Sequence, residues 1–175
     1  FFFIFWGLYL MIPTIVKAER VRYVVDGDTF VLEDGRKVRM LGIDTPELYH
    51  ADYFAVEAKD RLRDLIAGKQ IELQLDRFSA DTDRYGRNLR YVHFMERDVN
   101  LQMIEEGYAR AYPNYKIERL RQYQKAEEQA SAAGIGLWQK TTALTNRQEL
   151  LLYGLGLTFI LLFAAWKAMR RIRRR

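Results

Sequence analysis

Three carboxylate side chains stand beside turn signals in this sequence, where a bound ion could reach them. Asp28 follows Asp26-Gly27, and Glu47 comes shortly after Asp44. The sequence has no cysteine, so a metal at such a site would be bound by hard oxygen ligands, which suit Ca²⁺ or Mg²⁺ rather than Zn²⁺. Asp-Gly and Asp-Thr-Pro also form ordinary turns, so either motif alone favours a turn without a ligand.

Two arginines accompany these carboxylates. Arg39 lies in a predicted strand five residues before Asp44, flanked by apolar neighbours that should face the other side of the strand. Arg87 stands at the entrance to another predicted strand. A guanidinium offers parallel donors that match two phosphate oxygens. Two arginines and a divalent cation would neutralise a phosphodiester that gains a fifth oxygen, while a carboxylate outside the metal shell deprotonates the attacking water.

The elements that must position these side chains can be predicted from the pattern of apolar residues. Alternating or β-branched stretches predict five strands, over residues 20–25, 29–33, 37–43, 71–75 and 89–94. Helical spacing predicts three helices, over residues 53–67, 99–106 and 117–133. The first three strands are joined by hairpin turns, so Asp28 and Asp44 can share one end of the sheet. We therefore expect an α+β fold, a small closed barrel with helices packed against it.

Composition excludes several classes of protein. A chain of 175 residues with 49% hydrophobic, 14% aromatic and 29% charged side chains is neither disordered nor a large multidomain enzyme. The absence of cysteine excludes disulfides, thiolate zinc sites and cysteine nucleophiles. The net charge of +5 comes from the C-terminal tail, since acidic and basic side chains nearly balance between residues 20 and 140. Bulk charge is therefore no argument for nucleic-acid binding.

Both ends of the chain are apolar. Residues 150–166 carry no charge and run directly into the basic residues 167–175. This pattern predicts a transmembrane helix with a cytoplasmic tail, joined to the middle region by a polar tether over residues 141–149. Residues 1–18 predict either a signal peptide or an N-terminal membrane anchor. Both alternatives place the domain formed by residues 20–140 on the extracytoplasmic side.

Three motifs carry a resemblance to a known family. They are Asp26-Gly-Asp-Thr29, Arg39-Met-Leu-Gly-Ile-Asp-Thr-Pro-Glu47 and Asp83-Arg-Tyr-Gly-Arg87. In this order and at this spacing they resemble the staphylococcal nuclease (thermonuclease) family, and the resemblance covers about residues 21–138. It implies an OB-fold five-stranded β-barrel with three helices. It also implies Ca²⁺-dependent cleavage of DNA and RNA phosphodiesters that leaves 3′-phosphate ends.

The resemblance also implies roles for individual residues at the positions that match the motifs. The implied Ca²⁺ ligands are Asp28, Asp44 and the backbone carbonyl of Thr45. The implied catalytic residues are Arg39 and Arg87 as phosphate clamps and Glu47 as general base or water-positioning carboxylate. The implied substrate-binding residues are Arg84, Tyr85, Tyr112 and Tyr115.

Two functions follow as alternatives. The first is a membrane-anchored Ca²⁺-dependent nuclease acting on DNA and RNA, with the lipid bilayer as its other partner and no protein partner, so that we expect a monomer. The second is a non-catalytic nuclease-like module that binds nucleic acid or protein at the membrane. A degenerate copy should have lost at least one residue of the implied site. All of Asp28, Arg39, Asp44, Glu47 and Arg87 are present, which favours the enzyme.

Overall fold

The computed structural model describes residues 18–139. The predicted tether, membrane span and basic tail lie outside the described residues, as does the predicted leader except for Ala18. Within residues 18–139, none of the helices has the length and the apolar character needed to cross a membrane.

The described part of the chain contains eight strands, three α-helices and one short 3₁₀ helix. The strands are β1 Ala18–Val24, β2 Thr29–Leu32, β3 Lys37–Met40, β4 Ile43–Asp44, β5 Gln70–Gln74, β6 Asn88–Phe94, β7 Arg97–Asp98 and β8 Arg110–Ala111. The helices are α1 Ala55–Ile66, α2 Val99–Glu105 and α3 Leu120–Ala133, followed by a short 3₁₀ helix, Gly136–Trp138.

Five of the strands close into a barrel, as predicted. Antiparallel pairing runs in the order β3-β2-β1-β5-β6, and β3 then pairs with β6 in parallel, with Val38 opposite Asn88. The helices pack around the barrel, and their apolar side chains join its core. The largest fully buried side chains belong to Tyr91, Tyr123, Phe30, Leu32, Met40, Leu41, Ile43, Leu62, Ile66, Ile71, Leu89 and Met103. Burial of each such side chain contributes about 1.5–3 kcal/mol to folding.

The predicted strand over residues 37–43 is interrupted at Gly42. This glycine has a φ of 76°, and a Cβ atom there would lie 2.3 Å from Cδ1 of Ile117. The chain therefore leaves the barrel and continues as β4, in which Asp44 pairs with Arg110 of β8. The interruption matters for function because it moves Asp44 from the barrel sheet to its rim.

The last helix begins later than predicted, at Leu120 rather than at residue 117. The backbone N–H of Glu118 donates to Oδ2 of Asp76 at 2.8 Å, and that of Arg119 donates to the hydroxyl of Tyr91 at 3.4 Å. These side-chain acceptors come from distant parts of the chain. The segment before α3 therefore connects to the barrel instead of forming another helical turn.

Candidate active site

Asp28 is held in the turn between β1 and β2. Its backbone N–H donates to Oδ1 of Asp26 at 3.1 Å, which closes the turn locally. The turn lies so close to Thr45 that a Cβ atom on Gly27 would be 2.7 Å from the Thr45 hydroxyl, so only glycine fits there. The Asp28 side chain is consequently buried, with 4% of the residue exposed.

Burial changes the ionisation of Asp28. Desolvation raises the pKa of its carboxyl from 3.8 to about 7, Arg39 opposes this rise, and the like charge of Asp26 adds to it. Oδ2 of Asp28 accepts hydrogen bonds from the backbone N–H and the hydroxyl of Thr45, at 3.2 and 3.1 Å. The carboxylate therefore needs more positive charge than its protein neighbours supply.

Arg39 links the two carboxylates that the sequence assigns to a metal. Its Nη1 lies 2.9 Å from Oδ2 of Asp28, and its Nη2 donates to Oδ1 of Asp44 at 3.0 Å. Nη1 also donates to the carbonyl of Ile43 at 2.8 Å. The guanidinium is buried between these partners and is therefore fixed in orientation.

The loop after Asp44 presents the third carboxylate. Glu47 is exposed, and its backbone N–H donates to Oδ2 of Asp52 at 3.0 Å. Within residues 18–139, the Glu47 carboxylate has no hydrogen bond or ion pair, so its oxygens are accessible to water. Thr45 is buried, and its N–H and hydroxyl both point to Asp28. The role predicted for its carbonyl remains a prediction.

Arg87 is placed by a tight loop before β6. Asp83 accepts from the backbone N–H of Arg87 at 3.0 Å and from its Nε at 2.7 Å, and Gly86 takes a φ of 75° to close the loop. Nη1 of Arg87 lies 3.4 Å from the hydroxyl oxygen of Thr29, next to Asp28 in the chain. The loop thus directs the terminal nitrogens of Arg87 toward the carboxylates.

One cavity of about 670 Å³ collects these groups. It is lined by every predicted site residue except Thr45, which borders a neighbouring cavity of about 370 Å³ together with Asp44 and Glu47. The rings of Tyr112 and Tyr115 are 5.4 Å apart between centroids at its wall. Tyr85 is exposed at its edge, where its hydroxyl accepts from Nη2 of Arg84 at 2.7 Å. The structure therefore brings the predicted residues together.

The donor set of this cavity fits a hard divalent cation. Asp28 is short of positive charge, and the carboxylates of Asp26, Asp44 and Glu47 line the same space. In the described part of the chain, however, no group of three or more histidine, cysteine or carboxylate side chains is arranged to hold a metal. Water and backbone oxygens would have to complete the coordination, as is common for Ca²⁺.

Two carboxylates that position parts of the cavity wall were not predicted from the sequence. Asp83 was part of a motif but had no role, although an aspartate four residues before an arginine and three before a glycine is a signal for such a loop. Asp76 has 2% of its surface exposed and anchors two segments at the cavity wall. Its other partners, Tyr91 and Glu118, are distant in sequence, so the local turn to Phe78 did not reveal that Asp76 joins two segments.

Comparisons with known proteins show which family this chain belongs to. Residues 37–140 match the family model described as Staphylococcal nuclease homologue. An uncharacterized endonuclease of Haemophilus influenzae is 38% identical over 133 residues, which cover 74% of this chain and 70% of that protein. A thermonuclease of Staphylococcus hyicus is 36% identical over 132 residues, covering 70% and 76%. Endonuclease YncB of Bacillus subtilis is 33% identical over 134 residues, covering 70% and 62%.

Proposed function

This chain belongs to the family of staphylococcal nuclease homologues, and from that premise we propose a Ca²⁺-dependent nuclease that hydrolyses DNA and RNA and leaves 3′-phosphate ends. The names of its relatives support a nuclease. One observation carries the proposal: Asp28, Arg39, Asp44, Glu47 and Arg87 all line the same cavity.

The carboxylates of Asp28 and Asp44, with the carbonyl of Thr45, would hold the cation. When bound, Ca²⁺ supplies positive charge to the phosphate and to the buried carboxylate of Asp28. This assignment is consistent with the raised pKa of Asp28, which shows that one guanidinium does not offset its burial.

Arg39 and Arg87 would hold the phosphate from two sides. Nη2 of Arg39 meets Asp44 at the rim of the cavity, where it can exchange this carboxylate for a phosphate oxygen. Nε of Arg87 donates a hydrogen bond to Asp83. Within residues 18–139, Nη2 of Arg87 donates to no acceptor. Both guanidinium groups are held before substrate arrives, so their charge is in place as charge develops on the phosphate oxygens.

Glu47 would act as the general base. Its carboxylate takes a proton from water as the water oxygen bonds to phosphorus, the bond from phosphorus to the 5′ oxygen breaks, and that oxygen takes a proton from solvent. The products are a 3′-phosphate and a 5′-hydroxyl. Fixation of the Glu47 backbone by Asp52 holds the base at the cavity while its side chain remains exposed to water.

We also propose that residues 150–166 anchor the enzyme in a membrane with residues 167–175 in the cytoplasm. The support is the sequence pattern of these residues, which lie outside the described part of the chain. Fractionated cells should hold the chain in the membrane fraction. Protease added outside should digest the barrel and spare a C-terminal tag, whereas barrel found only in the soluble fraction would contradict the anchor.

The enzyme is tested by incubating the full chain with single-stranded DNA and RNA, in millimolar Ca²⁺ or in a chelator. We expect Ca²⁺-dependent fragments that end in a 3′-phosphate, identified by mass spectrometry and by their resistance to 3′-exonuclease until a phosphatase is added. Fragments that end in a 3′-hydroxyl would contradict the proposed chemistry. Binding without cleavage by the folded chain would support the alternative, a non-catalytic binding module.

A further inference from the structure

An aromatic ring and a cation at the wall of the cavity have no part in the site described above. Phe78 is 49% exposed and lines the same cavity as Asp28 and Glu47. The ammonium of Lys116, another lining residue, lies 5.3 Å from the centroid of the Phe78 ring. The guanidinium carbon of Arg77 lies 4.6 Å from the same centroid. We refer to Phe78, Arg77 and Lys116 as the Phe78 cluster.

The Phe78 cluster sits on two segments that one buried carboxylate ties together. Oδ1 of Asp76 accepts from the backbone N–H of Phe78 at 2.7 Å, and Oδ2 accepts from that of Glu118 at 2.8 Å. The first bond fixes the loop that carries Phe78, and the second fixes the segment that carries Lys116. The ring is therefore presented to the cavity by an ordered backbone, so less conformational entropy is lost when a ligand binds to it.

The two cationic side chains beside the Phe78 ring differ in whether a carboxylate pairs with them. Arg77 lies 3.2 Å from the carboxylate of Glu118, and both side chains are well exposed. Among the described residues, Lys116 has no ion pair, and its contact with Phe78 contributes little at so exposed a position. A half-exposed ring with an unpaired ammonium beside it matches a nucleotide, which offers a flat base and a phosphate.

We propose that Phe78 and Lys116 form an additional subsite for single-stranded nucleic acid, which rests on the proposed nuclease function. An unpaired base stacks on the Phe78 ring, and an adjacent phosphate pairs with Lys116. The subsite uses residues other than Tyr112 and Tyr115, although it lines the same cavity. It lengthens the stretch of strand that the enzyme holds, and it acts on affinity for long substrates rather than on bond cleavage.

The test measures binding of a fluorescein-labelled single-stranded DNA 12-mer to the full chain by anisotropy, in the presence of a chelator so that no cleavage occurs. Phe78→Ala and Phe78→Leu should each weaken binding about 10-fold, while Phe78→Trp retains it, because stacking needs an aromatic face. Lys116→Gln should weaken binding and reduce the slope of log affinity against log salt by about one. Tyr23→Ala is the matched control, since Tyr23 is also 49% exposed but does not line this cavity.

Substrate length separates a subsite from a structural role. With unlabelled competitors, Phe78→Ala should weaken binding of the 12-mer about 10-fold and that of a dinucleotide less than 2-fold. Equal losses on both would mean that Phe78 supports the cavity as a whole, and wild-type affinity in Phe78→Leu would mean that no base stacks there; either result overturns the subsite.

The two proposals can fail separately. If the wild-type chain neither binds nor cleaves single-stranded DNA, the nuclease function fails and the subsite fails with it. If the wild type cleaves, and Phe78→Ala and Phe78→Leu bind the 12-mer as tightly as the wild type does, only the subsite is overturned. Should Phe78→Ala lower the melting temperature, the comparison of Phe78→Leu with Phe78→Trp still decides, because both retain an apolar side chain.

Discussion

The carboxylate of Asp83 holds Arg87 at two points, its backbone N–H at 3.0 Å and its Nε at 2.7 Å. Desolvation alone would raise the pKa of Asp83, but hydrogen bonds from Arg87 and from the Tyr85 backbone outweigh it and lower the pKa below its usual 3.8. Asp83 is therefore ionised at neutral pH. The direction of the Arg87 guanidinium depends on a residue that need not touch the substrate.

Asp83→Ala should lower kcat by about 10- to 100-fold, because Arg87 loses its fixed orientation. In an Arg87→Ala background the same substitution should cost less than 2-fold, since Asp83 acts through Arg87. The measurement is a double-mutant cycle on kcat. Asp81→Ala is the control, because Asp81 lies on the same loop as Asp83 but pairs with Arg90 of β6. Full additivity of the two losses would show that Asp83 acts independently of Arg87.

Glu47→Gln should lower the cleavage rate at least about 100-fold, the usual contribution of a general base. The amide is similar in size and cannot take the proton, so affinity for single-stranded DNA in chelator should stay within about 3-fold of the wild type. Single-turnover rates and anisotropy measure the two effects. Glu105→Gln, an exposed position on α2, serves as the control. A rate within 10-fold of the wild type would remove Glu47 from the role of base.

Arg39→Lys should lower the rate by about 100-fold or more, because one ammonium cannot bond to both Asp28 and Asp44 in the geometry of a guanidinium. Arg39→Ala should also lower the free energy of unfolding by about 1–3 kcal/mol, since it leaves the carbonyls of Met40 and Ile43 without their buried donor. Activity assays and urea unfolding test these effects. Arg36→Ala, which breaks ion pairs of an exposed guanidinium to Asp34 and Glu19, should change stability by less than about 1 kcal/mol. A similar loss of unfolding free energy in Arg39→Ala and Arg36→Ala would show that the buried guanidinium of Arg39 stabilises the fold no more than an exposed one.

Asp76→Asn should lower the free energy of unfolding at pH 7 by about 2 kcal/mol. The neutral amide oxygen accepts weaker hydrogen bonds than a carboxylate, and the amide NH₂ group would face donors instead of accepting from them. Burial would raise the pKa of Asp76, but hydrogen bonds from Glu118, Tyr91, Phe78 and Ser79 together lower it below 3.8. A lowered pKa gives stability that is complete above 3.8, the value in the unfolded chain, and is lost as the pH falls through the folded value.

Urea unfolding at pH 7, 4.5 and 3 tests whether the stabilisation from Asp76 is lost as the pH falls. The difference between the wild type and Asp76→Asn should persist at pH 4.5 and shrink at pH 3. Asp60→Asn is the control, because Asp60 forms an exposed pair with Arg63 on α1, and it should cost less than about 0.5 kcal/mol. A difference that is the same at all three values would mean that the Asp76 charge does not stabilise the fold.

Much of the barrel could be predicted from local patterns, and the members of the candidate site from the motifs that carry the family resemblance. Alternation along β5 and β6 and helical spacing in α1 depend on neighbouring residues, so they are visible in sequence. Turn chemistry is equally local, and Asp26-Gly27 placed Asp28 at the end of a hairpin. The five-stranded barrel with three helices is confirmed, as is membership of the nuclease family.

The two element boundaries that were predicted wrongly involve contacts between residues that are distant in sequence. Gly42 reads as one position in a strand of residues 37–43, but it takes a φ of 76°, where the strand ends, and Ile117 packs where a Cβ atom would lie. The predicted start of the last helix was wrong because Asp76 and Tyr91 bind the backbone of the preceding segment. Neither acceptor is near that segment in sequence, so no helical pattern could have revealed them.

The sequence by itself determined which chemical groups this protein has and in which turns and strands they stand, because residue type and short-range spacing control both. Only the tertiary structure decided how those groups are charged and aimed. Burial sets the pKa of Asp28, and a buried guanidinium joins Asp28 to Asp44. Solvent exclusion and hydrogen-bond direction arise when separate segments pack, and they cannot be read along a single chain segment.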